Sequence, residues 1–170
     1  MGIETFKTHI NNGLARPNRF EVSISRGAAG SEFIKFTCEQ AEVPGVQFAT
    51  NEDLLFGPVR KMPFLPVFND MALVFMCKED MTERSFFDDW INAIYDKSGK
   101  IGQNFMMEYY VKYVATMTIT KLDQKNVPVY TVNCIEAYPL EVISQQLSFG
   151  ETDTYLKLEV RMAFRYWERV

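Results

Sequence analysis

The sequence predicts a mainly β domain with a single helix, and three observations carry that prediction. Across residues 154–167, Leu156, Leu158, Val160, Met162, Phe164 and Tyr166 are apolar or aromatic, while Lys157, Glu159, Arg161 and Arg165 fall between them. An extended backbone sends successive side chains to opposite faces, so this alternation gives one face to a core and the other to water or a partner. A second long alternation runs from Met107 to Thr120. One segment alone, about 81–97, places apolar residues at helical spacing: Phe86, Phe87, Trp90, Ile91, Ile94 and Tyr95.

In chain order, Ala15-Arg16-Pro17-Asn18 forms a turn into a first strand whose Phe20, Val22 and Ile24 alternate with Glu21, Ser23 and Ser25. Small residues from Gly27 to Ser31 connect it to a second strand, with Ile34, Phe36 and Cys38 on one face; the two are expected to pair as a hairpin. From Val43 to Asp70 the alternation fails, and Pro44, Gly45, Gly57, Pro58, Pro63 and Pro66 punctuate the segment. It still carries Phe48, Leu54, Leu55, Phe56, Val59, Met62, Phe64, Leu65 and Phe68. Two readings are open: a strand pair with unregistered core residues, or an arm that leaves its own domain and packs on another copy.

Met71–Lys78 reads as a strand covered on both faces. Asp80, with Glu83 three residues on, has capping-box spacing at the start of the helix, and Lys97-Ser98-Gly99 supplies a cation and a stop at its end. The face formed by Phe86, Phe87, Trp90, Ile91 and Ile94 is expected to pack flat on a sheet. The strand Met107–Thr120 then turns at Asp123–Asn126 into a strand Val127–Tyr138, a second hairpin. After Pro139 a loosely patterned stretch leads to a turn at Gly150–Asp153 and the final long strand.

With 170 residues and 47% hydrophobic content, the chain is expected to fold as one domain, 1–170. The longest apolar run, Met71–Cys77, is too short to cross a bilayer, and no basic start and apolar core mark the N-terminus. A soluble, unexported protein without stable membrane insertion follows. The net charge of −4 disfavours a surface built to hold phosphates. Cys38, Cys77 and Cys134 are odd in number and widely spaced, so buried reduced thiols are expected, with one disulfide pair as the alternative.

Chemistry finds little support. His9 is the only histidine, which excludes a histidine triad and a multi-histidine metal site within one chain. Asp88 and Asp89 are helix neighbours that do not face each other, and Gly27-Ala28-Ala29-Gly30 lacks the lysine of a phosphate loop. No catalytic residue, cofactor or metal is predicted. Long amphipathic strands and an apolar segment point instead to assembly, because uncovered strand edges pair with other chains.

The chain resembles the tail tube proteins of contractile-tailed bacteriophages. The likeness rests on Ala15-Arg16-Pro17-Asn18-Arg19-Phe20, on Phe36-Thr37-Cys38 followed by Val43-Pro44-Gly45, on Phe87-Asp88-Asp89-Trp90, and on the ending Leu158 to Glu168. The resemblance implies two antiparallel sheets packed as a distorted barrel or sandwich, with one flanking helix and a long extended arm at about 43–70. It implies hexameric rings stacked into an inner tube, a rigid conduit that a contracting sheath drives through the host envelope. The implied partners are other copies, the sheath, baseplate and terminator proteins, and double-stranded DNA in transient, non-specific passage. The implied place is the virion tail, assembled in the host cytoplasm. Phe48, Leu54, Leu55, Phe56, Val59, Met62 and Phe64 would then reach an adjacent subunit or ring.

A lumen that lets DNA slide is expected to be polar and neutral to acidic. The mixed row Lys157, Glu159, Arg161 and Arg165 suits the sheath or a neighbouring subunit equally. Related readings are the tube of a bacterial secretion or extracellular injection system, and a terminator or baseplate ring of the same fold. Readings from other classes are a monomeric β-barrel binding module and, last, an enzyme.

Overall fold

Two antiparallel sheets share one long strand. The computed structural model describes residues 2–3, 14–26, 32–54, 57–96, 106–150 and 153–170. In chain order the elements are β1 (Phe20–Ser25), α1 (Glu32–Thr37), β2 (Cys38–Ala41), β3 (Gln47–Asp53), β4 (Arg60–Val67), β5 (Met71–Met76) and α2 (Thr82–Ile94). They continue with β6 (Tyr95–Asp96), β7 (Met106–Met107), α3 (Tyr110–Tyr113), β8 (Ala115–Leu122), β9 (Pro128–Val142), β10 (Lys157–Ala163) and β11 (Tyr166–Arg169). The shared strand is β9. Its first part lies between β8 and β11, and its end, from Tyr138 to Val142, pairs with β10. Sheet A is therefore β1-β8-β9-β11, and sheet B is β9-β10-β5-β2.

The change of sheet is made at two corners that touch. Glu136 in β9 has a φ of 56°, a left-handed backbone that costs a non-glycine residue about 1–2 kcal/mol. Opposite it, the chain leaves β10 and enters β11 through Phe164 and Arg165. The Arg165 guanidinium donates to Glu136 Oε1 at 3.0 Å, so the two corners are joined by a charged hydrogen bond.

Between the sheets, Val22, Ile24, Met117, Ile119, Val132 and Cys134 of sheet A face Met71, Leu73, Phe75, Leu158, Val160 and Met162 of sheet B, all of them buried. The even positions of the C-terminal segment do point inward as far as Phe164. Helix α2 adds Phe87 and Trp90, both 0% exposed, with Ile94 buried and Phe86 and Ile91 half-buried. The Phe87 ring lies 5.2 Å from Phe75 and stacks on Trp90 at 6.4 Å. Trp90 Nε1 donates to the Tyr113 carbonyl at 2.7 Å, which fixes the helix to α3.

Several expectations are corrected. Residues 32–37 form a helix rather than a strand: Ile34 and Thr37, three apart, are buried while Phe36 is exposed, a helical spacing. Strand β2 consequently pairs β5, not β1, and β1 pairs β8. Helix α2 starts at Thr82 and ends at Ile94, because Met81 turns left-handed at its start and Tyr95 is already extended. The capping box is not reciprocal. Asp80 Oδ1 accepts from the Thr82 N–H, while the buried Glu83 reaches back to the Lys78 N–H, with the Lys78 ammonium 3.6 Å from its other oxygen.

The strand expected from Met107 to Thr120 is broken. Tyr110–Tyr113 makes one helical turn, with Tyr109 and Val111 exposed, and only Ala115–Leu122 joins the sheet. The next strand runs on past Pro139 to Val142; the pairing shifts register at Arg161/Met162, opposite the proline that lacks an N–H. The final strand is two strands, and Tyr166 is exposed because the corner at Phe164–Arg165 resets the alternation. Strand β5 buries Met71, Leu73 and Phe75 on one face and only half-covers Ala72 and Val74 on the other. Asp123–Asn126 is the expected turn, with Asp123 Oδ1 accepting from the N–H groups of Lys125 and Val127. The stretches around His9, Gly27–Ser31 and Lys97–Gly99 lie outside the described residues.

Candidate assembly surface

The segment 43–70 contains a strand pair that stands outside the core. Strands β3 and β4 form a separate two-stranded sheet, bonded to each other and to no other described strand. Every residue of β4 is exposed. Phe48, Leu54, Val59, Met62 and Phe64 are 48–72% exposed, and Leu65 joins them at 52%. Leu55 and Phe56 lie outside the described residues. None of the described residues of β3 and β4 belongs to the buried core. A two-stranded sheet is at best marginally stable in water, and exposed apolar surface of this extent makes the hairpin the candidate contact surface of the chain.

Both legs of the arm are held by the C-terminal corner. On the way out, Pro44 is buried and the Gly45 carbonyl accepts from Trp167 Nε1 at 3.1 Å. On the way back, the Phe68 ring lies 6.3 Å from Phe164. Pro44, Gly45 and Trp167 were legible only as members of motifs, Phe164 as part of the C-terminal alternation, and Phe68 only as an apolar residue without a period.

Sheet A offers two free edges. Among the described strands, β1 bonds only to β8 and β11 only to β9. On the β11 side the Val170 N–H reaches Thr131 O, so by alternation the N–H groups of Trp167 and Arg169 point away from β9. On the β1 side the Leu122 N–H reaches Arg19 O, which leaves those of Phe20, Val22 and Ile24 pointing outward. The outer face of the same sheet is rich in hydroxyls. Its central row is Ser23, Thr118, Asn133 and Glu168, aligned across four strands. Glu21, Thr120 and Thr131 line up on one side of it, and Ser25, Thr116, Ile135 and Tyr166 on the other. Thr118 donates to Asn133 Oδ1 at 2.7 Å, and Lys35 pairs with Glu21 at 2.8 Å. No cation stands at these strand positions.

Sheet B is different. Its outer face carries Lys157, Glu159 and Arg161 beside Ala72, Val74 and Glu141, and Arg161 lies 3.6 Å from Glu141. Glu39 Oε1 accepts from Lys157 Nζ at 2.8 Å and from the Tyr155 hydroxyl at 3.1 Å, tying β2 to β10 across β5. The hydrogen bond from Lys157 holds the Glu39 carboxyl below its ordinary range, and its counterpart raises the Lys157 ammonium. Glu39's contribution is therefore present above its unfolded-state value and lost as pH falls through its lowered folded-state value. That of Lys157 is present below its unfolded-state value and lost as pH rises through its raised one. Glu39→Gln should flatten the acid limb of a thermal-midpoint profile between about pH 7 and pH 3; an unchanged limb would show that other carboxylates dominate it.

All three cysteines are free thiols; Cys134 is buried, and Cys38 and Cys77 are half-buried. Burial pushes the Cys38 and Cys134 thiols up to about 12, so neither is a nucleophile near neutral pH. The folded chain should therefore react with iodoacetamide at Cys134 only as fast as it unfolds, and at Cys38 far more slowly than a model thiol, as mass spectrometry of timed samples would read. Among the described residues no cluster of three His, Cys, Asp or Glu side chains could hold a metal ion. No helix among them is long and apolar enough to cross a membrane.

The hairpin arm, the free edges and the hydroxyl face span most of the chain, and so does one family model. The model described as phage tail tube protein matches residues 15–170. The chain belongs to the phage tail tube protein family. Solved structures share the fold of this tail tube chain. In the sheath–tube complex of an extracellular contractile injection system, PVC, in the extended state, the similar chain has a TM-score of 0.66 at 17% identity, over 100% of this chain and 98% of that one. A chain of the anti-feeding prophage baseplate, 6-fold symmetrised, gives 0.67 at 10% identity, over 92% and 95%. One in the PVC sheath/tube terminator gives 0.65 at 20%, over 92% and 96%. No curated protein sequence matches the chain.

Proposed function

We propose that this chain is the subunit of the inner tube of a contractile tail, closing into hexameric rings that stack into a rigid conduit for double-stranded DNA. The observation that carries this reading is sheet A. It has four strands that alternate in direction, so its two free edges, β1 and β11, run opposite ways. Rotation about an axis brings β11 of one copy beside β1 of the next in antiparallel register, and a closed ring removes both free edges of sheet A. The barrel so formed presents the hydroxyl face to one side. With Glu21 paired to Lys35, that face is neutral to weakly acidic and suits a wall that does not retain phosphates. The arm then bridges one ring to the next, and the charged face of sheet B is left for the sheath. The role is mechanical and not catalytic.

Electron microscopy of the purified chain at rising concentration tests this. Hollow tubes of uniform width are expected; a chain that stays monomeric at every concentration would overturn the reading. The fold shared over nearly the full length of the PVC chain favours a second reading, the tube of an injection system that carries protein cargo. Capsid and terminase genes beside this one would exclude it.

A further inference from the structure

We infer that the arm is inserted between two other copies of the chain, with one face against each, instead of lying with one face on a single neighbour. The inference rests on the tube reading above. Its evidence is the register of the hairpin. Ala49 is opposite Leu65, Gln47 opposite Val67 and Asn51 opposite Met62, which puts Val67, Leu65 and Met62 on one face. Phe48 is opposite Pro66 and Thr50 opposite Pro63, which puts Phe48 and both prolines on the other. Phe64 is the additional residue where the register shifts between Ala49 and Thr50.

A hairpin that lies flat on one partner needs one apolar face and one polar face, the usual pattern of a half-covered antiparallel sheet. This one carries apolar residues on both faces, interspersed with Gln47 and Asn51 on one and Thr50 on the other, and its charges are gathered toward the tip, where Glu52 is opposite Lys61 and Asp53 opposite Arg60. Those pairs cancel, so the hairpin 47–67 is neutral and is not repelled by copies of a chain whose net charge is −4. Pro63 and Pro66 withdraw N–H donors from β4, which discourages strand addition there and leaves side-chain packing as the mode of contact. The body provides receiving surface: Tyr109 and Val111 are exposed before β8, and Val127 and Val129 beyond its other end. Copies of this same chain are the partners a tube obliges it to meet.

The test is a pair of single substitutions, Leu65→Ser on one face and Phe48→Ser on the other, with the wild type as control. Both residues are exposed, so circular dichroism and the thermal midpoint of the unassembled chain should be unchanged. If each face is covered by a copy, each variant alone raises the critical concentration for tube growth by about tenfold or more. If one variant grows like the wild type and the other does not, the arm lies on a single neighbour and the inference is overturned. If both grow like the wild type, the arm takes no part in stacking, and the arm's role in the tube reading falls as well. A wild type that never polymerises overturns the tube reading itself.

Discussion

Trp90→Ala will destabilise the folded chain by about 3–5 kcal/mol, a large share of the about 5–15 kcal/mol that holds a domain of this size together. Two effects add. The indole is fully buried, stacked on Phe87 and edge-on to Phe86 at 5.8 Å, and truncation leaves a cavity that the close-packed core around it is too rigid to fill. Its N–H also occupies the Tyr113 carbonyl at 2.7 Å, and Arg26 lies over the ring at 4.8 Å. Trp90→Phe separates the terms: it keeps most of the packing and loses the donor, so it should cost less than Ala and about 1–3 kcal/mol in total. Urea unfolding of the unassembled variants measures both. Equal losses would mean that the hydrogen bond, not the ring, dominates this site.

If the proposed rings close with sheet A around the conduit, Thr116→Lys combined with Glu168→Lys will turn tubes that ignore DNA into tubes that bind it. Both positions lie on the outer face of sheet A, and together they shift each copy by three charges, one from the first substitution and two from the second. Repeated around every ring of the proposed tube, this would line the conduit with cations, and phosphate binding with counterion release would follow. Affinity for a short fluorescent duplex should rise about a hundred-fold at 50 mM salt and collapse steeply by 200 mM. The retained duplex should resist nuclease. Tubes that bind duplex no better than wild type would show that this face does not line the conduit, whereas bound but nuclease-sensitive DNA would place it on the outside.

Much of the sheet was legible because it is half-buried in a simple way. Val22, Ile24, Met117, Ile119, Leu158, Val160 and Met162 alternate with polar residues, and their burial follows the alternation. The failures share a cause: alternation over a few residues does not distinguish a strand from one helical turn. Ile34, Phe36 and Cys38 satisfied the strand pattern, yet the chain buries Ile34 with Thr37 and releases Phe36. Tyr109–Tyr113 did the same. The joints between sheets left no local signal, since a left-handed Glu136 and a broken Phe164–Arg165 depend on contacts between distant segments. The arm was visible as apolar residues without a period. Its register could not be read there because both of its faces carry apolar residues, so no polar side marks the solvent.

The C-terminal corner gains a further meaning in a device that is pushed. Phe164 and Trp167 hold the returning and outgoing legs of the arm, and both sit at the turn where β10 passes into β11. In the proposed tube, an axial thrust received by the arm would enter the body at that turn and reach β9, the longest strand, which is flanked on both sides over part of its length. Load applied along such a ladder strains all of its hydrogen bonds at once, whereas load across it opens them singly. A proposed tube loaded along β9 would therefore meet force in shear at the root of its most exposed element.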